Sequence, residues 1–244
     1  MARRLDQKSI LITGASAGIG RACARELAAL GARLTLSARR GDRLTALAQE
    51  VQDLGGEAEI VPGDAREDET AQACVQAAIA RFGRLDILIN NVGIGNYKPL
   101  AETSPDEYDE MMDSNMRSTF LFTRHAVPHM IGQGSGTILT VSSMAGLYGF
   151  AGEAVYCATK FAQVGFTQAL DRELRPYGIK VGAICPGGVK TEFALGRGRT
   201  DQTVEESGWL EPEDVAGAVV LACTQSDASR IIELQMRSMV EPLA

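Results

Sequence analysis

Tyr156 and Lys160 stand four residues apart, a spacing that places a phenol and an ammonium group on one face of a helix. A free tyrosine has a pKa of about 10 and is a poor acid or base at neutral pH. A nearby cation favours the phenolate and lowers that pKa toward the working range. The pair is therefore a candidate for proton transfer to or from a substrate oxygen, although many helices carry the same spacing without any chemical role.

A second candidate lies near the start of the chain, where an apolar run passes through Thr13-Gly14-Ala15-Ser16-Ala17-Gly18-Ile19-Gly20 into a helical pattern. Glycines at such a turn let the backbone approach a phosphate and pack the helix against the strand. The spacing is GxxxGxG rather than GxGxxG, and a plain tight turn is the alternative interpretation. The flanking strand and helix favour a site for the pyrophosphate of a dinucleotide.

The residues at the end of the next apolar run, the second predicted strand, indicate which dinucleotide would bind. A site for NAD places an Asp or Glu about 20 residues after the glycines, where it binds the ribose hydroxyls. This chain has Ser37-Ala38-Arg39-Arg40 there, with no carboxylate. The guanidinium groups of Arg39 and Arg40 can pair with a 2'-phosphate, so the sequence predicts NADP(H). A solvated helix start is the alternative.

Strands and helices must position these residues. Along the chain, short apolar runs that predict strands alternate with segments whose apolar residues have helical spacing. The predicted strands are 9–13, 33–38, 57–62, 85–90, 136–142, 180–185 and 230–235. The predicted helices are 21–30, 43–54, 67–82, 105–130, 153–177 and 211–223. Such alternation predicts an α/β fold with a parallel sheet and helices on both faces. Ligands of these folds bind at the carboxyl ends of the strands.

Composition excludes several classes of protein. The 244 residues are 45% hydrophobic and 23% charged, with 26 glycines that follow no repeat, so we expect one folded domain over 1–244. A net charge of -7 argues against nucleic acid and anionic membranes as partners. The polar start and five scattered cysteines indicate a cytoplasmic protein with reduced thiols. His125 and His129 have no third ligand, so we predict no metal site.

The ordered set of motifs identifies a family that the single motifs do not. This set comprises Thr13-Gly14-xxx-Gly18-Ile19-Gly20, Asn90-Asn91-Val92-Gly93, Asn115, Ser143, Tyr156-xxx-Lys160 and Pro186-Gly187. With it the chain resembles the short-chain dehydrogenase/reductase family over essentially its whole length. The resemblance implies a three-layer Rossmann-like fold, with a doubly wound sheet of about seven strands. It also implies hydride transfer between a nicotinamide and a carbonyl or secondary alcohol.

The resemblance assigns the catalytic roles to Asn115, Ser143, Tyr156 and Lys160. Tyr156 would exchange the proton with the substrate oxygen, and Ser143 would hydrogen-bond that oxygen. Ser142 is the adjacent alternative, but the family spacing favours Ser143. Lys160 would lower the pKa of Tyr156 and hold the nicotinamide ribose. Asn115 would anchor a water that connects Lys160 to solvent.

The same resemblance places the remaining motifs along the cofactor. Asp64, with Ala65 beside it, would contact the adenine amino group, and Ser16 would assist Arg39 on the 2'-phosphate. Asn91 and Gly93 would pass the adenosine ribose. The complete set of expected cofactor contacts is Gly14, Ser16, Gly18, Ile19, Gly20, Arg39, Arg40, Asp64, Ala65, Asn91, Gly93, Tyr156, Lys160, Pro186, Gly187, Val189 and Thr191, of which the last four would grip the nicotinamide.

The segment 192–210 is long and polar for a loop, and by resemblance it lies over the substrate as a lid. A mobile surface loop is the alternative. The predicted reaction is NADP(H)-dependent reduction of a small ketone or oxidation of a 3-hydroxy acid. Reduction of 3-oxoacyl thioesters is less favoured because 230–236 lacks the Asp-Gly-Gly ending of such members, and a non-catalytic NADP-binding regulator is the remaining alternative. We expect a homotetramer or homodimer packed through 105–130 and 153–177.

Overall fold

The computed structural model describes residues 5–241, and within them seven parallel strands form one sheet. The strands are β1 (Ser9–Thr13), β2 (Arg33–Ala38), β3 (Glu57–Pro62), β4 (Ile87–Asn90), β5 (Gly136–Val141), β6 (Ile179–Pro186) and β7 (Glu233–Met236). Their order across the sheet is β3-β2-β1-β4-β5-β6-β7. The predicted doubly wound, Rossmann-like parallel sheet is therefore confirmed.

Helices cover both faces of this sheet. They are α1 (Gly18–Ala29), α2 (Gly41–Asp53), α3 (Asp68–Phe82), α4 (Pro105–Met112), α5 (Ser118–Gln133), α6 (Ala154–Leu174), α7 (Asp201–Glu205) and α8 (Pro212–Cys223). Ile10 and Ile12 of β1 pack in one cluster with α1, α2 and α8, whereas Leu11 packs in another with α3 and α5. This alternation follows from the two-residue repeat of a strand, and it explains why the strands are apolar on both faces.

The strand order reverses at β1, which lies between β2 and β4. A crevice opens at the carboxyl ends of strands where such a reversal occurs. The amino ends of β1 and β4 are fixed instead by Asp86, which is 5% exposed. Its carboxylate accepts hydrogen bonds from the Ser9 N–H at 3.0 Å, the Lys8 Nζ at 2.9 Å and the Arg84 Nη2 at 2.7 Å.

The continuous helix predicted over 105–130 is wrong in its middle. α4 ends at Met112, a π-helical turn covers Asp113–Arg117, and α5 then begins at Ser118. Such turns place an extra residue inside a helix and are frequent at functional sites. Asn115 lies in this turn, and side-chain bonds to neighbouring elements hold it there, so tertiary contacts override a regular helix.

Two other predicted boundaries also differ. β7 begins at Glu233 rather than at 230, while the Arg230 guanidinium before it is held by Asp171 of α6, with Nε 2.6 Å from Oδ1. The chain joins β6 only where Glu233 pairs with Ala183. α6 ends at Leu174 and tightens into a 3-10 turn up to Tyr177.

No helix within 5–241 is long and apolar enough to cross a bilayer.

Candidate active site and cofactor cleft

A cavity of about 740 Å³ opens at the carboxyl ends of the strands. Nearly all of the predicted site residues line it, from the glycine loop after β1 to Tyr156, Lys160 and the segment after β6. Gly20 and Asn115 do not, because they lie behind the wall. The structure thus brings the predicted phosphate loop and the predicted catalytic residues into one space.

The glycine loop has the conformation that its residue types predicted. Gly14 and Gly18 have φ values of +67° and +51°, a region in which other residues are strained. A Cβ on Gly20 would lie 2.5 Å from the Gly14 carbonyl oxygen, so only glycine allows α1 to approach so closely. Within the described chain, α1 has no side-chain cap and no acidic residue in its first turn. Its first N–H groups are therefore available to an anion such as a pyrophosphate.

Asn91 ties the end of β4 to this loop. Its Nδ2 donates to the carbonyl oxygens of Thr13 at 3.0 Å and Gly14 at 3.3 Å, and its backbone N–H donates to the Thr13 Oγ1 at 2.9 Å. Asn91 thus fixes the shape of the loop, while Gly93 lies farther along the same wall, with the Lys160 Nζ and Asn115 Oδ1 near the position of a Cβ.

The arginines after β2 lie at the far end of the cavity. The Ser16 Oγ accepts from Arg40, at 3.3 Å from Nε and 3.2 Å from Nη2, and its expected assistance to Arg39 on a 2'-phosphate stays a prediction. Arg40 and Arg43 also hold the carboxylate of Glu192, with contacts of 2.8 and 2.7 Å. These two cations already bind an anion, which shows that their geometry suits one.

Arg43 was missed by the sequence analysis, although it stands three residues after Arg40 and so on the same side of the first turn of α2. Arg39 lines the cavity, and its charge acts on the nearby Asp64. Asp64 accepts hydrogen bonds from the backbone N–H and the guanidinium group of Arg66, the shortest 2.6 Å from Nη2, and this pairing lowers the pKa of the carboxyl. Its oxygens are thus shared with Arg66 at the place predicted for adenine.

Ser143 follows β5 and faces the cavity. Its Oγ accepts from the Ala145 N–H at 3.1 Å and lies 3.4 Å from the Pro186 carbonyl oxygen, to which it donates. The neighbouring Ser142 is buried, and its hydroxyl donates to the Lys160 carbonyl oxygen at 3.2 Å. Ser143 is therefore the serine whose hydroxyl remains directed toward Tyr156.

Tyr156 lies in the first turn of α6, buried against Tyr97 and Phe193 at centroid distances of 5.5 and 5.7 Å. Burial raises the pKa of Tyr156, while the Ser143 hydroxyl and the charge of Arg199 act against that rise. The expected lowering by Lys160 is not seen, because the Lys160 Nζ lies 5.7 Å from the ring centroid and is held elsewhere.

Gln163 is the residue that holds Lys160, and the sequence analysis missed it. The Lys160 Nζ donates to the Gln163 Oε1 at 2.9 Å and to the Val141 carbonyl oxygen at 3.3 Å. Burial lowers the pKa of Lys160 to about 8. The i, i+3 spacing from Lys160 was the signal that could have identified Gln163.

Asn115 holds the neighbouring backbone through its side chain, and its expected role as the anchor of a water stays a prediction. Its side chain clamps Ile94, accepting from the N–H at 2.7 Å and donating to the carbonyl oxygen at 3.0 Å. Its own carbonyl oxygen accepts from the Gln163 Nε2 at 2.8 Å. Asn115 is therefore linked to Lys160 through a glutamine side chain.

The lid segment 192–210 covers the other side of Tyr156. It contains the five-residue helix α7 and contributes Phe193, Arg199 and Trp209 to the wall. The carboxyl group of Glu153, just before α6, also lines this side, and burial raises its pKa.

Comparison with known proteins agrees with this geometry. The profile of the short chain dehydrogenase family matches residues 8–202. The chain belongs to the short-chain dehydrogenase/reductase family. This dehydrogenase/reductase is 38% identical over 199 residues to an uncharacterised oxidoreductase of Thermotoga maritima, covering 82% of this chain and 78% of the relative.

Two solved structures show how close the likeness is. A metagenomic short-chain oxidoreductase in complex with NADP is 34% identical, with a TM-score of 0.84, and the match covers 97% of this chain and 99% of that chain. The 3-ketoacyl-(acyl-carrier-protein) reductase of Brucella melitensis, complexed with NADH, is 31% identical with a TM-score of 0.87. That match covers 96% of this chain and 98% of the other.

Proposed function

We propose that this protein is an NADP(H)-dependent oxidoreductase that interconverts a carbonyl group and a secondary alcohol, with Tyr156 as general acid and base. One observation carries the proposal. The phenol of Tyr156 and the hydroxyl of Ser143 line the same cavity as the glycine loop and the arginines after β2. That cavity can therefore hold a dinucleotide along the strand ends with its reactive end beside a proton donor.

The protein supplies binding, orientation and a proton, and the nicotinamide, when bound, gives or takes the hydride. During reduction Tyr156 donates its proton to the substrate oxygen, and the Ser143 hydroxyl hydrogen-bonds that oxygen as negative charge develops. Lys160, held by Gln163, provides a positive charge behind the phenol. In oxidation Tyr156 takes the proton back. The buried aromatic wall limits water at the reacting carbon.

The charges around the adenosine end support NADP(H) over NAD(H). Arg40 and Arg43 hold an anion, and Arg39 lies beside them, while β2 ends without a carboxylate to accept ribose hydroxyls. A 2'-phosphate would replace Glu192 as their partner. The likeness to one protein solved with NADP and another solved with NADH leaves this preference as a proposal.

A second candidate is the reduction of a 3-oxoacyl thioester, supported by the name of the Brucella melitensis protein. It would call for a basic surface to meet an acidic carrier. The segment 192–210 offers two arginines for such a surface, but neither is free for it. Arg197 is paired with Glu110 at 2.8 Å, and Arg199 lies against three aromatic rings. This arrangement favours a small substrate.

Assembly and location remain proposals as well. Exposed aromatic side chains on α5 and α6, Phe120 at 44% and Phe161 at 47%, support a homodimer or homotetramer packed through these helices. We propose a cytoplasmic location because reduced, mostly buried thiols suit that compartment.

The proposal is tested with a panel of ketones, a 3-oxoacyl thioester and both cofactors. We expect oxidation of NADPH with at least one ketone, and Tyr156→Phe should lower kcat by roughly 100-fold or more while NADPH binding persists. Binding is followed by the fluorescence of the nicotinamide. A Tyr156→Phe variant at the wild-type rate would refute the role of Tyr156, and a wild type inactive on every substrate would favour the regulator.

A further inference from the structure

Arg199 differs from Arg197, the other arginine of the segment 192–210, in the position of its side chain. The chain turns tightly at 194–199, with the Arg199 N–H donating to the Ala194 carbonyl oxygen at 3.1 Å and the Gly196 N–H donating to the Arg199 carbonyl oxygen at 2.9 Å. The Tyr97 N–H donates to the Arg197 carbonyl oxygen at 2.9 Å, which fixes this turn against the cavity wall. Both arginines line the cavity, but Arg197 is exposed at its rim and paired with Glu110, whereas Arg199 lies partly buried against the aromatic wall.

The guanidinium group of Arg199 is surrounded by aromatic rings. Its Cζ lies 4.5 Å from the Trp209 ring, 5.3 Å from the Tyr97 ring and 5.4 Å from the Phe193 ring. When a guanidinium group stacks on aromatic rings, its flat face makes the contact, and the N–H groups at its edge stay free for hydrogen bonds. Trp209, Tyr97 and Phe193 thus orient the group without using its donors.

Few of these donors have a partner in the chain. Nη2 donates to the Tyr97 hydroxyl at a long 3.4 Å, and no carboxylate between residues 5 and 241 forms an ion pair with Arg199. By contrast, Arg197 forms two hydrogen bonds to Glu110, at 2.8 and 3.3 Å. A guanidinium group has five N–H donors, so a cation with several unused donors lines a partly enclosed cavity.

Arg199 is also close to the proton donor. Tyr97 and Phe193 lie beside both the Arg199 guanidinium group and the Tyr156 ring, so the two groups share the same aromatic neighbours on one side of the cavity. A small molecule with its carbonyl oxygen at Tyr156 would therefore place a group a few bonds away near Arg199. The anion that matches a planar guanidinium edge with two parallel bonds is a carboxylate.

We propose that Arg199 binds a carboxylate of the substrate, and that the substrate class is a short oxo acid or the corresponding hydroxy acid. This inference rests on the proposed function and names the substrate of the same site. Glu153 is the charged group that opposes it, because its carboxyl lines the same side and interacts with the charge of Arg199. If Arg199 serves only to balance Glu153, its loss would affect charged and neutral substrates alike.

The experiment compares acetoacetate and levulinate with their methyl esters, using the wild-type protein and NADPH. We expect kcat/KM to be higher for the acids than for the esters. Arg199→Met should lower kcat/KM for the acids by about 10- to 150-fold, the value of a hydrogen-bonded pair with a charged group, mainly through KM. The same change should leave the esters within about threefold, and Arg197→Met, the matched control, should leave all four substrates unchanged.

Two additional variants keep the test decisive if Arg199→Met misfolds. Arg199→Lys keeps the charge without the planar fork, so it should lose part of the preference for acids. Glu153→Gln removes a like charge and should lower KM for the acids. Equal losses for acids and esters, or a wild type that prefers the esters, would overturn the role of Arg199 while the proposed function stands.

Calorimetric binding of levulinate in the presence of NADPH separates the two proposals further. We expect measurable binding by the wild type that Arg199→Met weakens about 10-fold or more. Arg199-dependent binding without turnover of any ketone would overturn the proposed function and support the carboxylate site. Absence of binding, or binding that does not depend on Arg199, would overturn the site.

Discussion

The ammonium group of Lys160 donates to the side-chain oxygen of Gln163 at 2.9 Å, and the two residues lie one turn apart on α6. Gln163 in turn donates to the carbonyl oxygen of Asn115 and to the Thr119 Oγ1, at 2.8 Å each. The buried ammonium is thus held in position by a side chain that the catalytic motifs do not include.

Gln163→Leu should therefore change how activity depends on pH. Burial lowers the pKa of Lys160 to about 8, and loss of the Oε1 acceptor removes a partner of the charged form, which lowers that pKa further. The alkaline limb of kcat/KM should move down by about one pH unit. Gln163→Glu places a carboxylate at the same point and should move the limb upward. Unchanged profiles in both variants would contradict the role of Gln163.

Replacement of both Arg40 and Arg43 by alanine should weaken the use of NADPH specifically. The two guanidinium groups hold the Glu192 carboxylate now and would hold a 2'-phosphate in its place. We expect KM for NADPH to rise by roughly 10- to 100-fold, with KM for NADH changed less than about threefold. Steady-state kinetics with each cofactor measures this difference.

Arg21→Ala is the matched control, since Arg21 is an exposed arginine of α1 paired with Glu50. Glu192→Gln should act in the opposite direction, lowering KM for NADPH by about two- to fivefold, because an exposed ion pair is worth roughly 1 kcal/mol or less. If Glu192→Gln raised KM for NADPH, Glu192 would be a ligand of the cofactor rather than its competitor.

Asp86→Asn should destabilise the fold and make it less sensitive to acid. Burial alone raises the pKa of Asp86, but hydrogen bonds from Arg84, Ser9 and Lys8 outweigh it and leave that pKa below its usual value. The carboxylate therefore stabilises the protein above about pH 4, its unfolded pKa, and that contribution is lost as pH falls through the folded pKa.

At neutral pH we expect the free energy of unfolding of Asp86→Asn to fall by about 1–3 kcal/mol, measured by urea denaturation. The difference from the wild type should shrink below pH 4. Asp53→Asn, at the exposed end of α2, serves as the control and should change stability by less than about 0.5 kcal/mol. A constant difference at all pH values would show that Asp86 acts by packing rather than by charge.

Phe161→Lys should weaken the proposed assembly. The side chain is 47% exposed on α6, and a cation at the centre of an apolar contact between copies would be costly to desolvate. We expect the dissociation constant of the oligomer to rise by roughly tenfold or more, measured by light scattering across concentrations. Leu221→Lys, a comparably exposed apolar position on α8, should leave the mass unchanged. A monomeric wild type would contradict the assembly itself.

The sheet could be predicted because each strand is a short run of apolar residues buried on both faces. Ile10, Leu11 and Ile12 illustrate this, since successive residues enter different cores. The start of β7 could not be predicted, because it depends on where the backbone first pairs with β6, at Glu233 and the distant Ala183. Local patterns carry no information on such contacts.

The site, too, has residues that the sequence could predict and residues that it could not. Gly14 and Gly18 were identifiable because their conformation restricts the residue type, and Tyr156 with Lys160 because their spacing is regular. The direction of a flexible side chain is not encoded in this way. Arg40 rather than Arg39 donates to Ser16, and Arg199 rather than Arg197 stacks on the aromatic wall, because the backbone turn around each residue sets the direction of its side chain.

The π turn at Asp113–Arg117 makes this region sensitive to length rather than to composition. Deleting one residue there would allow the helical segments on either side to merge into a regular α-helix without a change in their relative rotation, and the bulge that places Asn115 would be lost. Asn115 would then turn away from Ile94, and Gln163 would lose the carbonyl oxygen on which it rests. The irregular turn thus holds the backbone at Ile94 and the Gln163 side chain of α6 in register with each other.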